Sequence, residues 1–271
     1  MTAGRTFIAL LLFAACSPRR LDVVSLAPDM VAHWPCDEEG DGNTLYDHSV
    51  NKYDGVINGA KYLADSGHSG FGGALHFDSG NSVTVNGFPA ATKSWSVSLW
   101  VRPATWALPA DSNSSYYITL ISTEIVSASG KPGAGWEMNG HLPAAPQLED
   151  SRDWEYHFAY PKSGDASPYL YSYVDCNCLD PYQWTHLVAV VDSDTMQLSF
   201  YKNGQQQVQQ VITEVIRPPL TDTGTSPLYM GSWSGGRYFT GDLDDIVIFS
   251  RALTLAEVGS LYAQPALSVP R

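Results

Sequence analysis

Residues 241–254 read Gly241-Asp-Leu-Asp-Asp-Ile-Val-Ile-Phe-Ser-Arg-Ala-Leu-Thr254, and they give the clearest structural signal in the chain. A pair of acids opens a run of β-branched and aromatic residues, which is typical of a strand. Thr254 and Glu257 then fit a capping box, which predicts a short helix over Leu255–Ala263. The end of the chain is therefore predicted to close a β-sandwich.

The composition favours one all-β domain. The 271 residues are 44% hydrophobic and include 23 Gly, 17 Pro, 8 Trp, 15 Tyr and 9 Phe. Such a mixture suits many short strands joined by tight turns, because Gly and Pro mark turns and aromatic residues favour strands. All-β domains often reach this length, and the sequence has no internal repeat.

The chain is acidic, with 28 acids against 15 bases and a formal net charge of −13. Nucleic acid and anionic lipid are therefore poor partners, because their phosphates would be repelled. Cations, neutral glycans and proteins remain open as partners. The alternative is an acidic surface that serves only solubility.

The first residues indicate export. Residues 1–15 carry Arg5 and an apolar run too short to span a bilayer, so they are predicted to be a signal peptide. Phe13-Ala-Ala-Cys16 is similar to a lipobox, in which Cys16 would carry the lipid. Phe13 departs from the usual Leu, so an ordinary signal peptide stays open. We expect a secreted or cell-envelope protein, and Ser17 favours an outer-membrane lipoprotein that meets the membrane only through its anchor.

The domain is predicted over residues 30–264, between a tether at 16–29 and a tail at 265–271. Its predicted strands are Met30–Cys36, Gly73–Asp78, Ser82–Asn86, Trp95–Arg102, Tyr117–Ser122, Trp154–Tyr160, Trp184–Asp192, Met196–Gly204, Leu228–Ser232 and Gly241–Ser250. Gly80 and Asn81 predict a hairpin between the second and third strands. Residues 104–180 are irregular, and long loops of this kind are usually functional or mobile.

Several segments, in order, resemble the laminin G-like jelly roll of the concanavalin A-like lectin/glucanase superfamily. They are Ala32–Glu38, Asp47–Gly55, Phe71–Asp78, Trp95–Val101, Trp184–Val191, Tyr201–Gly204 and Gly241–Thr254. The resemblance implies an all-β fold, an antiparallel two-sheet jelly-roll sandwich with one short C-terminal helix. It also implies a non-catalytic extracellular domain that binds carbohydrate or a surface protein. The alternative is a structural or adhesive surface protein without glycan affinity.

Exposed aromatic rings are the candidates for sugar binding, because they stack on the apolar faces of sugar rings. Trp233 lies in a loop rich in Gly and Ser, which leaves little to bury its ring, and Arg237 and Tyr238 follow it. Trp136 and Tyr171 lie in an aromatic insertion that is longer than the resemblance requires. The alternative for all these rings is the core, because large rings dominate the interiors of β-sandwiches.

An acidic loop over Asp37–Asn43 places oxygen ligands at alternating positions, and Asp47 follows closely. The loop is similar to a calcium-binding loop but lacks the final bidentate Glu. The resemblance implies another arrangement, a structural calcium ion that joins Asp37, Asp41 and Asp47 to the closing strand at Asp244. The alternative is a turn with solvated acids, in which Asp244 caps backbone amides.

Three cysteines remain once Cys16 is assigned to lipid, and an oxidising compartment permits one disulfide among them. We expect Cys36 to pair with Cys176 or Cys178. A Cys176–Cys178 bridge is the alternative, although its small ring would be strained. Zinc bound by these thiols is not supported, because the spacing of paired zinc-binding cysteines is absent.

Catalytic residues are not predicted. A retaining glucanase needs two carboxylates about 5–5.5 Å apart, and the Glu-x-Asp-x-x-Glu signature that would place them is absent. The nearest approach is Asp153-Trp-Glu155-Tyr-His157. We interpret that segment as an ordinary strand with Trp154 and Tyr156 facing the core.

Overall fold

A computed structural model describes residues 27–37, 40–68, 72–89, 91, 93–104, 117–123, 135–141, 153–161, 169–176, 180, 182–212 and 225–263. The predicted signal peptide, Cys16, most of the tether and the tail lie outside these residues. Within them the chain forms two antiparallel β-sheets and one α-helix, after a 3-10 turn at Ala27–Asp29. The helix in this described part is too short to span a bilayer.

Sheet A contains eight strands. They are β1 (Met30–Trp34), β4 (Lys61–Leu63), β5 (Ala74–Phe77), β7 (Trp95–Pro103), β12 (Thr185–Asp192), β13 (Gln197–Lys202), β14 (Gln205–Val211) and β16 (Gly241–Phe249). The order across the sheet is β14-β13-β12-β7-β16-β5-β4, and β1 also pairs with β16.

Sheet B also contains eight strands. They are β2 (Thr44–Leu45), β3 (Gly55–Asn58), β6 (Ser82–Pro89), β8 (Tyr117–Ser122), β9 (Gly135–His141), β10 (Asp153–Pro161), β11 (Tyr169–Cys176) and β15 (Thr225–Met230). Their order is β11-β10-β9-β8-β15-β6-β3-β2. The result is the jelly-roll sandwich that the sequence predicts.

The closing strand is the centre of the fold. β16 pairs with β1, β5 and β7, and all nine of its residues are buried. Leu243, Ile246 and Ile248 face the core between the sheets, where they join rings such as Trp34 and Trp154. This burial contributes about 1.5–3 kcal/mol for each large apolar side chain removed from water.

Helix α1 (Leu255–Ala263) covers part of the outer face of sheet A. Val258 and Leu261 join an apolar cluster with Val188 and Phe249. The capping box is confirmed: the Glu257 amide donates to Thr254 Oγ1 at 3.3 Å, and the Thr254 amide donates to the Glu257 carboxylate at 2.8 Å. The helix begins where the sequence predicts because both partners lie within its first turn.

The prediction of a hairpin around Gly80 and Asn81 is wrong. β5 lies in sheet A and β6 in sheet B, so the connection crosses from one layer to the other instead of joining neighbours. The Asn81 amide donates to the Asp78 carbonyl at 3.0 Å, so the turn itself forms. A turn signal predicts a change of direction but not which strand becomes the partner.

The predicted bridge from Cys36 is also wrong. Cys36 is a free thiol, 3% exposed, and it donates to the Trp34 carbonyl at 3.6 Å. Burial raises the pKa of this thiol well above its usual value. Cys176 is buried at the end of β11 and Cys178 lies outside the described residues, so a Cys176–Cys178 bridge stays a prediction.

Candidate ligand-binding site

A tight hairpin beside sheet B carries the first site residues. Trp233 and Gly236 exchange both backbone hydrogen bonds, at 2.7 and 2.9 Å. Ser234 and Gly235 form the turn with φ values of 46° and 87°, which is the geometry of a two-residue type I′ turn. The Tyr238 hydroxyl donates to the Gly235 carbonyl at 2.9 Å and braces the turn.

Arg237 leaves this hairpin and reaches β8 and β9. Its carbonyl accepts the Thr119 amide at 2.8 Å, and its Nη1 donates to Glu137 Oε2 at 3.1 Å. The guanidinium carbon lies 4.3 Å from the ring centre of Trp233 and 5.1 Å from that of Tyr117. Two rings and a carboxylate thus fix one arginine. We call Tyr117, Glu137, Trp233 and Arg237 the Arg237 cluster.

The buried carboxylate of Glu137 anchors the Arg237 cluster. Trp136 and Met138 on either side of it face the core, so Glu137 points to the outer face of sheet B. It is fully buried, and the Thr119 hydroxyl donates to its other oxygen. A buried carboxylate is unfavourable unless it is paired with a charge and hydrogen-bonded. Arg237 provides the opposite charge, and Thr119 provides a second hydrogen bond.

Arg237 keeps hydrogen-bonding capacity for a ligand. In the part of the chain that the structure describes, Nη1 makes the hydrogen bond to Glu137 and no other guanidinium nitrogen has a partner. The side chain is 18% exposed. A guanidinium offers five N–H donors in a rigid plane, so Nε and Nη2 are available to ligand oxygens.

The structure brings together three of the five predicted ligand residues, Trp233, Arg237 and Tyr238. Trp136 is 1% exposed and lies in the core, so its predicted role as a sugar platform is wrong. The side chain of Tyr171 lies outside the described residues. The sequence analysis missed Glu137, although its position between the core residues Trp136 and Met138 in an alternating segment is the pattern that marks an outward-facing residue.

The acids predicted to bind calcium have other partners. Asp47 is 1% exposed and accepts the amides of His33, Ser49 and Tyr53 at 2.7–2.8 Å. Asp41 caps its own turn by accepting the amides of Asn43 and Thr44. These hydrogen bonds lower the pKa of Asp41, and the one from Asn43 has the largest effect. The alternative, a turn with solvated acids, is confirmed for Asp41, which is exposed, whereas Asp47 is a buried acid that holds backbone amides.

The two remaining acids of that prediction, Asp37 and Asp244, also accept backbone amides. The Asp37 carboxylate accepts the Gly73 amide at 3.0 Å, and burial raises its pKa. Asp244 accepts the His68 amide and the Asp245 amide, each at 2.8 Å, so its predicted capping role is confirmed as well. Burial raises the pKa of Asp244 to about 6.

His68, Asp244 and Asp245 form a second polar group on the outer face of sheet A, which we call the His68 cluster. Their ligand atoms all lie within 4.8 Å of one another. Calcium takes six to eight oxygen ligands. With Asp41 and Asp47 engaged elsewhere and an imidazole among the donors, these residues do not fit the calcium arrangement that the resemblance implies.

Buried aromatic rings extend from the His68 cluster to His186. The Trp100 ring stacks on His68 at 4.1 Å, and its centre lies 5.0 Å from that of His186. His186 Nε2 shares a hydrogen bond of 2.9 Å with Ser98 Oγ. Burial lowers the pKa of His186 to about 3, so it is neutral in the folded protein.

Replacing His186 with glutamine should reduce the acid sensitivity of the fold. Between pH about 6.5 and about 3 the unfolded state protonates this residue and the folded state does not, so stability falls as the pH falls. The slope approaches about 1.4 kcal/mol per pH unit for one such group. Asp244 has a raised pKa in the folded state, so its contribution to stability rises as the pH falls from about 6 to about 4. Because both proteins share this contribution, the effect of His186 is read from the difference between parent and variant. Urea melts at pH 7, 6, 5 and 4 measure it, and parallel curves for the two proteins would contradict the assignment.

Comparison with known proteins places this architecture in a family. A family model described as the concanavalin A-like lectin/glucanases superfamily, of the laminin G type, matches residues 77–259. The chain therefore belongs to this laminin G-like family. No protein with a curated description matches the chain.

Solved structures share the fold at low sequence identity. One is domain 4 of AbnA, a GH43 extracellular arabinanase from Geobacillus stearothermophilus in complex with arabinotriose, with a TM-score of 0.58, 18% identity, and coverage of 87% of this chain and 98% of that one. Another is the botulinum neurotoxin serotype D ligand-binding domain in complex with N-acetylneuraminic acid. Its TM-score is 0.58 at 15% identity, and the match covers 89% of this chain and 52% of the toxin chain. The chain spans about half of that toxin domain, and at these identities the likeness concerns the fold.

Proposed function

We propose that this chain is a non-catalytic recognition domain that binds neutral oligosaccharides at the Arg237 cluster. The observation that carries the proposal is the fixed guanidinium of Arg237, with unused donors at Nε and Nη2 beside the rings of Trp233 and Tyr117. Hydrogen-bond donors next to aromatic rings suit the alternating hydroxyl and C–H surface of a sugar. The complexes of the arabinanase domain with arabinotriose and of the toxin domain with N-acetylneuraminic acid support a glycan as the ligand class.

Charge favours neutral sugars over acidic ones. Glu137 compensates the charge of Arg237 at 3.1 Å, so the cluster offers donors without net positive charge. The chain as a whole has a formal net charge of −13, which repels anions at longer range. A carboxylated sugar would therefore meet neither a free cation nor a favourable field.

Replacing Arg237 with alanine should weaken the binding of a neutral oligosaccharide such as arabinotriose by about tenfold or more, since a lost hydrogen bond to a charged group costs about 1.5–3 kcal/mol. Isothermal titration calorimetry on the full chain measures this. Arg102→Ala is the matched control, because Arg102 makes the same kinds of contact on sheet A. Its guanidinium lies 4.8 Å from the centre of the Trp184 ring, and its Nε donates to Asp242 at 2.8 Å. Equal losses in both variants, or no binding of any neutral sugar tested, would contradict the proposal.

The Glu137→Gln variant tests the charge argument separately. It leaves the shape of the site while removing the compensating charge, so affinity for N-acetylneuraminic acid should rise relative to the parent protein. Melting temperatures of both proteins show that the comparison is made on folded chains. An unchanged preference would mean that Arg237 does not set the charge selectivity.

A further inference from the structure

The His68 cluster is a converging set of nitrogen and oxygen ligands inside the protein. His68 Nδ1 lies 2.9 Å from Asp244 Oδ2 and 3.6 Å from Asp245 Oδ2. The side chains of His68 and Asp244 are each 4% exposed and that of Asp245 is 7% exposed.

A β-bulge in the closing strand brings the two carboxylates together. Consecutive strand residues normally point to opposite faces of a sheet. Here the register between β16 and β7 shifts between Asp244 and Val247, and Asp245 has a φ of 42°. Both carboxylates therefore reach His68 on the outer face of sheet A.

The imidazole ring is held in place before any ligand binds. Trp100 stacks on it with ring centres 4.1 Å apart and an angle of 14° between the planes. The His68 amide donates to Asp244 Oδ2 at 2.8 Å, and His33 Nε2 lies 3.4 Å from Asp245 Oδ1 on the far side. Ligands fixed in this way lose little freedom when they bind an ion.

The charges of the cluster favour a cation. Two neighbouring carboxylates are buried, and buried charge is unfavourable unless it is neutralised by partners close at hand. A divalent ion between them would neutralise both. Imidazole together with carboxylate suits zinc and similar transition metals, whereas calcium takes oxygen ligands.

We propose that His68 Nδ1 and one oxygen each from Asp244 and Asp245 bind a divalent transition-metal ion of the zinc type. Around tetrahedral zinc, with bonds of about 2.0–2.2 Å, ligand atoms lie about 3.3–3.6 Å apart. The His68–Asp244 and His68–Asp245 separations of 2.9 and 3.6 Å are close to that range, and all three ligand atoms lie within 4.8 Å of one another, so an ion would draw them together. A water molecule would complete a set of three protein ligands.

The test uses Zn²⁺, Co²⁺ and Ca²⁺ on the full chain after treatment with a chelator. Equilibrium dialysis should find one tightly bound Zn²⁺ per chain, and Zn²⁺ should raise the melting temperature because it binds the folded state. Co²⁺ in the same site should give visible absorption bands of tetrahedral nitrogen and oxygen coordination, without the intense near-ultraviolet bands of thiolate ligands. That spectrum separates the His68 cluster from Cys36.

The His68→Gln variant should lose about tenfold or more in Zn²⁺ affinity. His76→Gln is the matched control, because His76 Nδ1 lies 2.7 Å from Asp242 on the same face of sheet A but outside the cluster. Asp245→Asn is the second variant should His68→Gln fail to fold. Uptake of Zn²⁺ that is unchanged in the variants, no uptake by the folded parent, or stabilisation by Ca²⁺ alone would each overturn the proposal.

Discussion

Replacing Asp47 with alanine should destabilise the domain by about 3–5 kcal/mol, because breaking a buried network leaves its polar groups without partners. The Asp47 carboxylate accepts the amides of His33, Ser49 and Tyr53 at 2.7–2.8 Å, and the hydroxyl of Ser49 at 2.7 Å. These bonds tie the loops after β1 to the strand itself. Urea denaturation monitored by tryptophan fluorescence measures the change in the free energy of unfolding.

Asp41→Ala is the control for this prediction. Asp41 has the same type of side chain and accepts two amides in its own turn, but it lies in an exposed loop. Its loss should have a small effect because water can replace those bonds. The prediction would be contradicted if Asp47→Ala lowered the free energy of unfolding no more than Asp41→Ala does. It would also be contradicted if removing metal from the parent protein with a chelator produced the same loss.

Replacing Gly241 with alanine should cost about 2–5 kcal/mol through backbone strain and overpacking. Gly241 has a φ of 146°, and an added Cβ would lie 2.4 Å from the Arg102 carbonyl oxygen and 2.9 Å from the Pro103 Cα. Those atoms belong to the backbone of β7 and cannot rotate away. The closing strand would have to separate from its neighbour at the point where it begins.

Gly80→Ala separates the two causes of this effect. Gly80 has a φ of 90°, but an added Cβ there would meet no atom within 4 Å. It should therefore cost only about 1 kcal/mol, the usual penalty of an unfavourable backbone conformation. Thermal melts of the two variants compare them, and equal losses would show that close packing against β7 is unimportant.

The elements that the sequence predicts well are those with strong local patterns. β8 and α1 have the predicted bounds, and β16 ends one residue earlier than expected. Alternation and a capping box are properties of neighbouring residues, so the chain itself contains the information. The interpretation of Trp154 and Tyr156 as core residues is confirmed for the same reason.

Features that depend on distant residues were not predictable. β9 and β11 lie in the region that the sequence analysis leaves irregular, and they are strands because β10 pairs with both of them. Glu137 and Arg237 are 100 positions apart and meet only when the sheet forms. The sequence indicated that Asp244 is important but not that a bulge turns Asp245 to the same side.

A crystal structure of the full chain with the tightest-binding neutral oligosaccharide tests the proposed function most directly. We predict sugar density against the Arg237 cluster, with a hydroxyl within hydrogen-bond distance of Nε or Nη2 of Arg237. Sugar density on the outer face of sheet A beside Arg102, with the Arg237 cluster empty, would contradict it.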